Sequence, residues 1–147
     1  MERSSMLLHS LLVFLVVIEV TFACNCRPMT LGQAICNSNT VILARVTCAG
    51  DDSVAVVLYE IEVQQTFKVE TTSISLNDGY GYMTFPQSDT DCGGKLRSGI
   101  DYIIAGNVDA NGVLVSSKCK YMTEYEHIVR NTDYSDILQG DVDCTNV

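Results

Sequence analysis

The sequence predicts a mainly β protein: an OB-like antiparallel β-barrel with short peripheral helices, stapled by disulfides. Three observations carry this expectation. Runs of β-branched and aromatic residues recur through the middle of the chain, turn residues separate them, and cysteines stand on both sides. The runs are Val41 to Thr47, Val54 to Phe67, Thr71 to Leu76, Tyr80 to Phe85, Tyr102 to Val108 and Val113 to Ser117. Val, Ile, Thr, Tyr and Phe suit a pleated, half-buried surface, so each run reads as a strand. Gly50-Asp51-Asp52, Asn77-Asp78-Gly79 and Asp109-Ala110-Asn111-Gly112 supply the chemistry of tight reversals, which makes a meander-like antiparallel sheet. Two helical segments flank it. Thr30 to Asn37 has Leu31, Ala34 and Ile35 at i, i+3 and i+4, with Asn37 as a stop, and the second segment spans Glu124 to Arg130. Strands so closely spaced, with helices only at the edges, fit a closed or nearly closed barrel better than a parallel α/β sheet.

The first residues read as a leader rather than as part of the domain. Met6 to Val20 is nearly all apolar, follows Arg3, and ends in Thr21-Phe22-Ala23, with small residues at the two positions that signal peptidase inspects. Residues 1–23 are therefore expected to be a signal peptide, cut after Ala23, which makes Cys24 the mature N-terminus. A retained anchor is disfavoured because the apolar run is short for a span and no second one follows. A lipoprotein site ranks lower because Phe22 is bulky where a small residue belongs. Residues 24–147 then form one secreted, extracellular domain, large enough for a hydrophobic core and small enough for covalent staples to matter. No repeat, low-complexity tract or linker interrupts it, and Pro28 and Pro86 lie at the edges of apolar segments.

A formal net charge of −9 argues against nucleic acid, polyanions or an anionic membrane as partners and leaves a protein or a cation. All seven cysteines, Cys24, Cys26, Cys36, Cys48, Cys92, Cys119 and Cys144, follow the leader. The oxidising secretory route favours disulfides over structural zinc, and an odd count leaves one thiol over. His127 is the only histidine after the leader, and a lone histidine in a polar helical segment is more often structural or exposed than catalytic. No Ser/His/Asp or Cys/His set can be assembled, and HExxH is absent, so an enzyme is the weak hypothesis.

Three stretches then carry a resemblance: Cys24-Asn25-Cys26-Arg27-Pro28, Gln33-Ala34-Ile35-Cys36-Asn37-Ser38 and Val41-Ile42-Leu43-Ala44-Arg45-Val46. Together they resemble the opening of the tissue inhibitors of metalloproteinases, which begin with Cys-x-Cys directly after the signal peptide. Tyr59-Glu60-Ile61 through Phe67-Lys68 resembles the family's second strand, Cys92-Gly93 with Leu96 its central cysteine loop, and Tyr102 to Gly106 a later strand. Nearly the whole mature chain is covered. The cysteine-rich C-terminal subdomain of vertebrate members is missing, so the likeness is to the inhibitory N-terminal, netrin-like domain alone, as in short invertebrate members.

The resemblance implies the pairings Cys24–Cys92, Cys26–Cys119 and Cys36–Cys144, which the cysteine order by itself does not select. Cys48 is then unpaired, read first as a small buried hydrophobe, with intermolecular pairing or a labile thiol as alternatives. The implied function is inhibition of zinc metalloendopeptidases of the matrix-metalloprotease type, in a one-to-one complex formed by a monomer. No cofactor of its own is needed; the metal is the target's zinc, chelated by the α-amine and carbonyl oxygen of Cys24 in a five-membered ring. Asn25 would enter the pocket beside that zinc, Cys26, Arg27 and Pro28 would lie in the substrate cleft, and Thr90, Asp91 and Cys92 would complete the wedge.

The bland readings are ordinary staples for Cys-x-Cys, a rigid exit for Arg27-Pro28 and a solvated turn acid for Asp91. The chain also departs from the family pattern. Asn25 replaces a small hydroxyl residue, Thr30-Leu31 replaces His-Pro, and the loop Ala49 to Ser53 is short. A netrin-like binding or signalling module without inhibition is the alternative.

Overall fold

Strand alternation explains the centre of the fold. In β1 (Thr40–Ala49) the side chains of Ile42, Ala44 and Val46 point into a barrel, while Val41 and Leu43 point outward and are nonetheless buried. β4 (Asp101–Val108) repeats the pattern, with Tyr102 and Ile104 inside and Ile103 and Ala105 outside. These two strands pair antiparallel over Thr40↔Gly106 to Arg45↔Asp101, forming a seam covered on both faces. The computed structural model describes residues 24–27, 29–51, 53–70, 72–88, 91–129 and 144–146. The expected signal peptide and Arg130 lie outside the described residues.

The barrel closes around the seam. β2 (Val56–Val69) pairs with β1, β3 (Tyr80–Pro86) with β2, the short β5 (Leu114–Val115) with both β3 and β4, and β4 with β1. β6 (Tyr121–Glu124) continues along the β4 edge that β5 leaves free. Register shifts at Val41/Ile42, Leu43/Ala44 and Val46/Cys48 let the long β2 curl about β1, the curvature that closure requires. Inside lie Val57, Tyr59, Ile61, Met83, Phe85 and Leu114, all almost fully buried. Burying such side chains contributes roughly 1.5–3 kcal/mol each, so this interior is the main source of stability.

Two short helices cover the outer face of the seam. α1 (Leu31–Asn37) starts at Thr30, whose hydroxyl accepts from the Gln33 amide while the Gln33 side chain accepts from the Thr30 amide, a complete capping box. Leu31 and Ala34 pack on Val41, Leu43, Ile103 and Ala105, joined by Ile128 of α2 (Tyr125–Val129). Lys68 of β2 donates to the Ile35 carbonyl and ties the helix to the barrel wall. A disulfide joins Cys36 to Cys144 in a closing 3-10 turn (Cys144–Asn146).

The architecture is thus the OB-like, mainly β barrel that the sequence predicts, with three local corrections. Residues 72–76 of the expected strand Thr71 to Leu76 are not a strand, and residue 71 lies outside the described set. That segment crosses the barrel end: Ile74 plugs the core, the Ser75 amide donates to Gly112, and Leu76 stays exposed. The meander holds only through β3, because β4 crosses to the far edge of β1 and β5 returns to lie parallel to β3. Finally, Cys48 is exposed rather than buried. The shift after Val46 sets it opposite Glu60 on the outer face and turns Ala49 inward.

Candidate functional site

The N-terminal segment 24–27 has no regular secondary structure, and covalent bonds hold it in place. Cys24 is bonded to Cys92 and Cys26 to Cys119, across 68 and 93 residues of chain. Both cysteines are half-buried, while Asn25 between them and Arg27 beyond them are exposed. A side chain flanked by two anchored neighbours loses little further freedom on docking, so Asn25 is presented as a fixed projection.

The second strand of the ridge comes from the loop after β3. The amides of Asp91 and Gly93 donate to the Ser88 carbonyl, and that of Gly94 to Pro86, which brings Asp91, Gly93 and Gly94 back against the end of β3. Cys92 takes a positive φ of 60°, a left-handed conformation that a side chain adopts at some cost. At Gly93 a Cβ would overlap the Pro86 carbonyl oxygen, so only glycine fits there. Asp91 is exposed beside Cys92. The third strand arrives from β5: the Lys118 amide donates to the Cys92 carbonyl at 2.7 Å, which sets Cys119 beside the first two.

Of the residues singled out from sequence, Cys24, Asn25, Cys26, Arg27, Asp91 and Cys92 are brought into one ridge; Pro28 and Thr90 lie outside the described residues. Sequence reasoning missed Pro86, Ser88 and Lys118 as the backbone partners that shape it. The adjacent glycines Gly93-Gly94 were the available signal, since a Gly pair marks a reversal or a close approach. The four sulfurs of Cys24, Cys26, Cys92 and Cys119 lie within 4.8 Å of one another, and among the described residues they form the one such cluster of His, Cys, Asp or Glu ligand atoms. His127 is exposed on α2, beside a cleft also lined by Phe85, Lys95, Lys118 and Glu124. Glu124 is held by Arg97 at 2.6 Å, a hydrogen bond that raises the Arg97 pKa.

In chemical terms, both sulfurs of Cys-x-Cys are spent on disulfides, so the ridge has backbone groups, the Asn25 amide, the Arg27 guanidinium and the Asp91 carboxylate to offer a partner. Barrel and ridge together define a class: an OB-like barrel that carries a disulfide-clasped terminal ridge. A family model described as tissue inhibitor of metalloproteinase matches residues 22–144, and the chain belongs to that family. Proteins of this family are inhibitors, not enzymes, and metalloproteinases are their partners. A Caenorhabditis elegans protein, tag-225, which carries the name of a metalloproteinase inhibitor, is 24% identical over 150 residues, covering 90% of this chain and 93% of its own. No described helix is long and apolar enough to cross a membrane.

Proposed function

We propose that the chain, once residues 1–23 are removed, is a secreted monomer that inhibits zinc metalloendopeptidases of the matrix-metalloprotease type in a one-to-one complex. The supporting observation is the double clasp, which holds Cys24 and Cys26 on either side of an exposed Asn25. A protease zinc held by three protein ligands keeps a fourth position for water. The α-amine and carbonyl oxygen of Cys24 displace that water and close a five-membered ring on the metal. The amine sheds its proton as it coordinates. The Cys24 sulfur is no ligand, since the bond to Cys92 consumes it; its part is to hold the chelating atoms in position. Asn25 enters the pocket beside the metal, Arg27 and Pro28 follow along the cleft, and Thr90 and Asp91 brace the other side.

The experiment changes the terminal amine alone. Acetylating it, or leaving one alanine before Cys24, is expected to reduce inhibition of a zinc-protease panel at least a hundredfold, on the order of 3 kcal/mol, with circular dichroism and melting temperature unchanged. An amide nitrogen has almost no basicity, and an added residue moves the amine out of the ring. Undiminished inhibition by either form would falsify chelation. Absence of inhibition by the unmodified protein would favour a netrin-like binding module instead.

A further inference from the structure

We propose that the outer face of β2, β3 and β5 is a second recognition surface, which takes a protein segment presenting an arginine between apolar side chains. Its acidic end lies where Tyr80 opens β3, and the ridge loop leaves the other end of that strand at Pro86, about 20 Å away. The proposal does not depend on the inhibitory reading, because no residue of the ridge takes part.

Unequal cover of the barrel points to this face. On the β1–β4 seam the outward side chains of Val41, Leu43, Ile103 and Ala105 are buried beneath α1 and α2. On the far side the outward side chains stay in solvent: Val56, Leu58, Tyr80, Tyr82 and Val115 are each between 43% and 52% exposed. Register joins them into one patch. Val56 stands opposite Pro86, Leu58 opposite Thr84, and Thr84 in turn beside Val115, while Tyr82 and Tyr80 lie opposite Glu60 and Glu62. Among the described residues this face carries most of the large apolar side chains that are exposed, and such a concentration marks an interaction surface. No Asn-x-Ser/Thr sequence occurs in the chain, so no N-linked glycan shields it.

Charge selects the occupant. At the turn end of the face a dent of about 430 Å³ is lined by Glu60, Asn77, Asp78, Tyr80 and Tyr82. Asn77 and Tyr80 exchange both backbone hydrogen bonds, and the narrow turn closed in this way sets Asp78 beside the tyrosines. The Thr47 hydroxyl donates to the Glu60 carboxylate at 2.8 Å, which fixes that group without cancelling its charge. Arg45, opposite Glu62 on β1, is engaged by Asp101 at 2.8 Å, and Lys68, further along β2, by Glu70. Two carboxylates and two aromatic rings around one dent suit a guanidinium, which donates to carboxylates in a planar fork and stacks on tyrosine. The strip of Leu58, Val56 and Val115 then takes the aliphatic side chains that flank it. A second copy of this chain is disfavoured, because a two-fold contact would set these acids against themselves on a chain of net charge −9.

The test titrates the ¹⁵N-labelled secreted chain, its disulfides intact, with a blocked peptide of sequence Gly-Ser-Leu-Arg-Val-Arg-Ser-Gly. Saturable amide shifts are expected in β2, β3, β5 and the turn from Asn77 to Gly79, with the ridge amides unmoved. Glutamates in place of both arginines of the peptide should abolish binding, and serines in place of its leucine and valine should weaken it at least threefold. In the protein, Glu60→Gln and Tyr82→Ser should each weaken binding at least threefold. Glu126→Gln removes the same charge from an exposed site on α2 and should leave binding unchanged. Absence of saturable shifts, shifts centred on the ridge, or equal binding by the glutamate peptide would each overturn the proposal. So would equal weakening by Glu126→Gln and Glu60→Gln, which would reduce the effect to net charge. A dimer in sedimentation equilibrium that Tyr82→Ser dissolves would overturn it too, by assigning the face to a second copy.

Discussion

The barrel and the ridge sit against each other and are held by opposite means. In the barrel, Ile42, Ile61, Met83, Ile103 and Ile104 are fully buried, and the strands close on themselves, so hydrogen bonding and apolar burial specify each position many times over. In the ridge, residues 24–27 belong to no strand and Asn25 and Arg27 face solvent; two covalent bonds and a few loop hydrogen bonds do the positioning. The contrast separates stability from recognition. Exposed backbone that must meet a partner cannot also be buried in a core, so its order has to come from constraints that leave it uncovered.

The double variant Cys26→Ser/Cys119→Ser should break the comparison most. It removes a link that spans 93 residues, for which the chain-entropy model assigns about 4.6 kcal/mol, and it frees one end of the ridge. Chemical denaturation should show the lost stability, and inhibition of a zinc protease should fall at least tenfold even at temperatures where the barrel is folded. A smaller effect, and only on stability, is expected from Ile104→Val. Removing one methylene from the interior should cost about 1 kcal/mol in equilibrium unfolding and leave inhibition within twofold. If that variant loses inhibition as the cysteine pair does, the ridge is not independent of the core.

The smallest effect belongs to the surface pair Arg45–Asp101, at 2.8 Å on the outer face of the seam. The hydrogen bond and charge of Asp101 raise the Arg45 pKa. A raised folded pKa contributes stability below the unfolded value and loses it only as pH rises through the folded one, far above neutrality. Arg45→Ala should therefore lower the melting temperature slightly, equally at pH 6 and pH 9, and less as salt is added. A pH-dependent difference in that window would assign the effect to another group.

Particular residues show how far the sequence could be read. Leu31, Ala34 and Ile35 announced α1 because a 3.6-residue period is a local property, whereas the capping box of Thr30 and Gln33 entered only with the structure. The run Val41 to Thr47 announced β1 by its β-branched composition, and the structure shows the alternation, with Ile42, Ala44 and Val46 inward. Thr71 to Leu76 misled because β-branched composition states a preference, not a pairing partner; Gly112 offers Ser75 one bond and no ladder. β6 escaped notice because Tyr121-Met122-Thr123-Glu124 is short and only half-buried, and it becomes a strand through the free edge of β4.

By itself, the sequence determined the barrel class, the helix start at Thr30 and the one cysteine in excess of an even count from local period, composition and residue order, and it offered the candidate terminal ridge through its resemblance to the family. Tertiary structure alone decided where β5 and β6 lie, that Cys48 faces outward, and that four sulfurs from three distant segments converge within 4.8 Å. The reason is physical: a bulge of one residue reverses every later side chain in β1, and strand order depends on which edge is open when a segment arrives. Neither is written in the neighbouring residues, because both are set by partners far away along the chain.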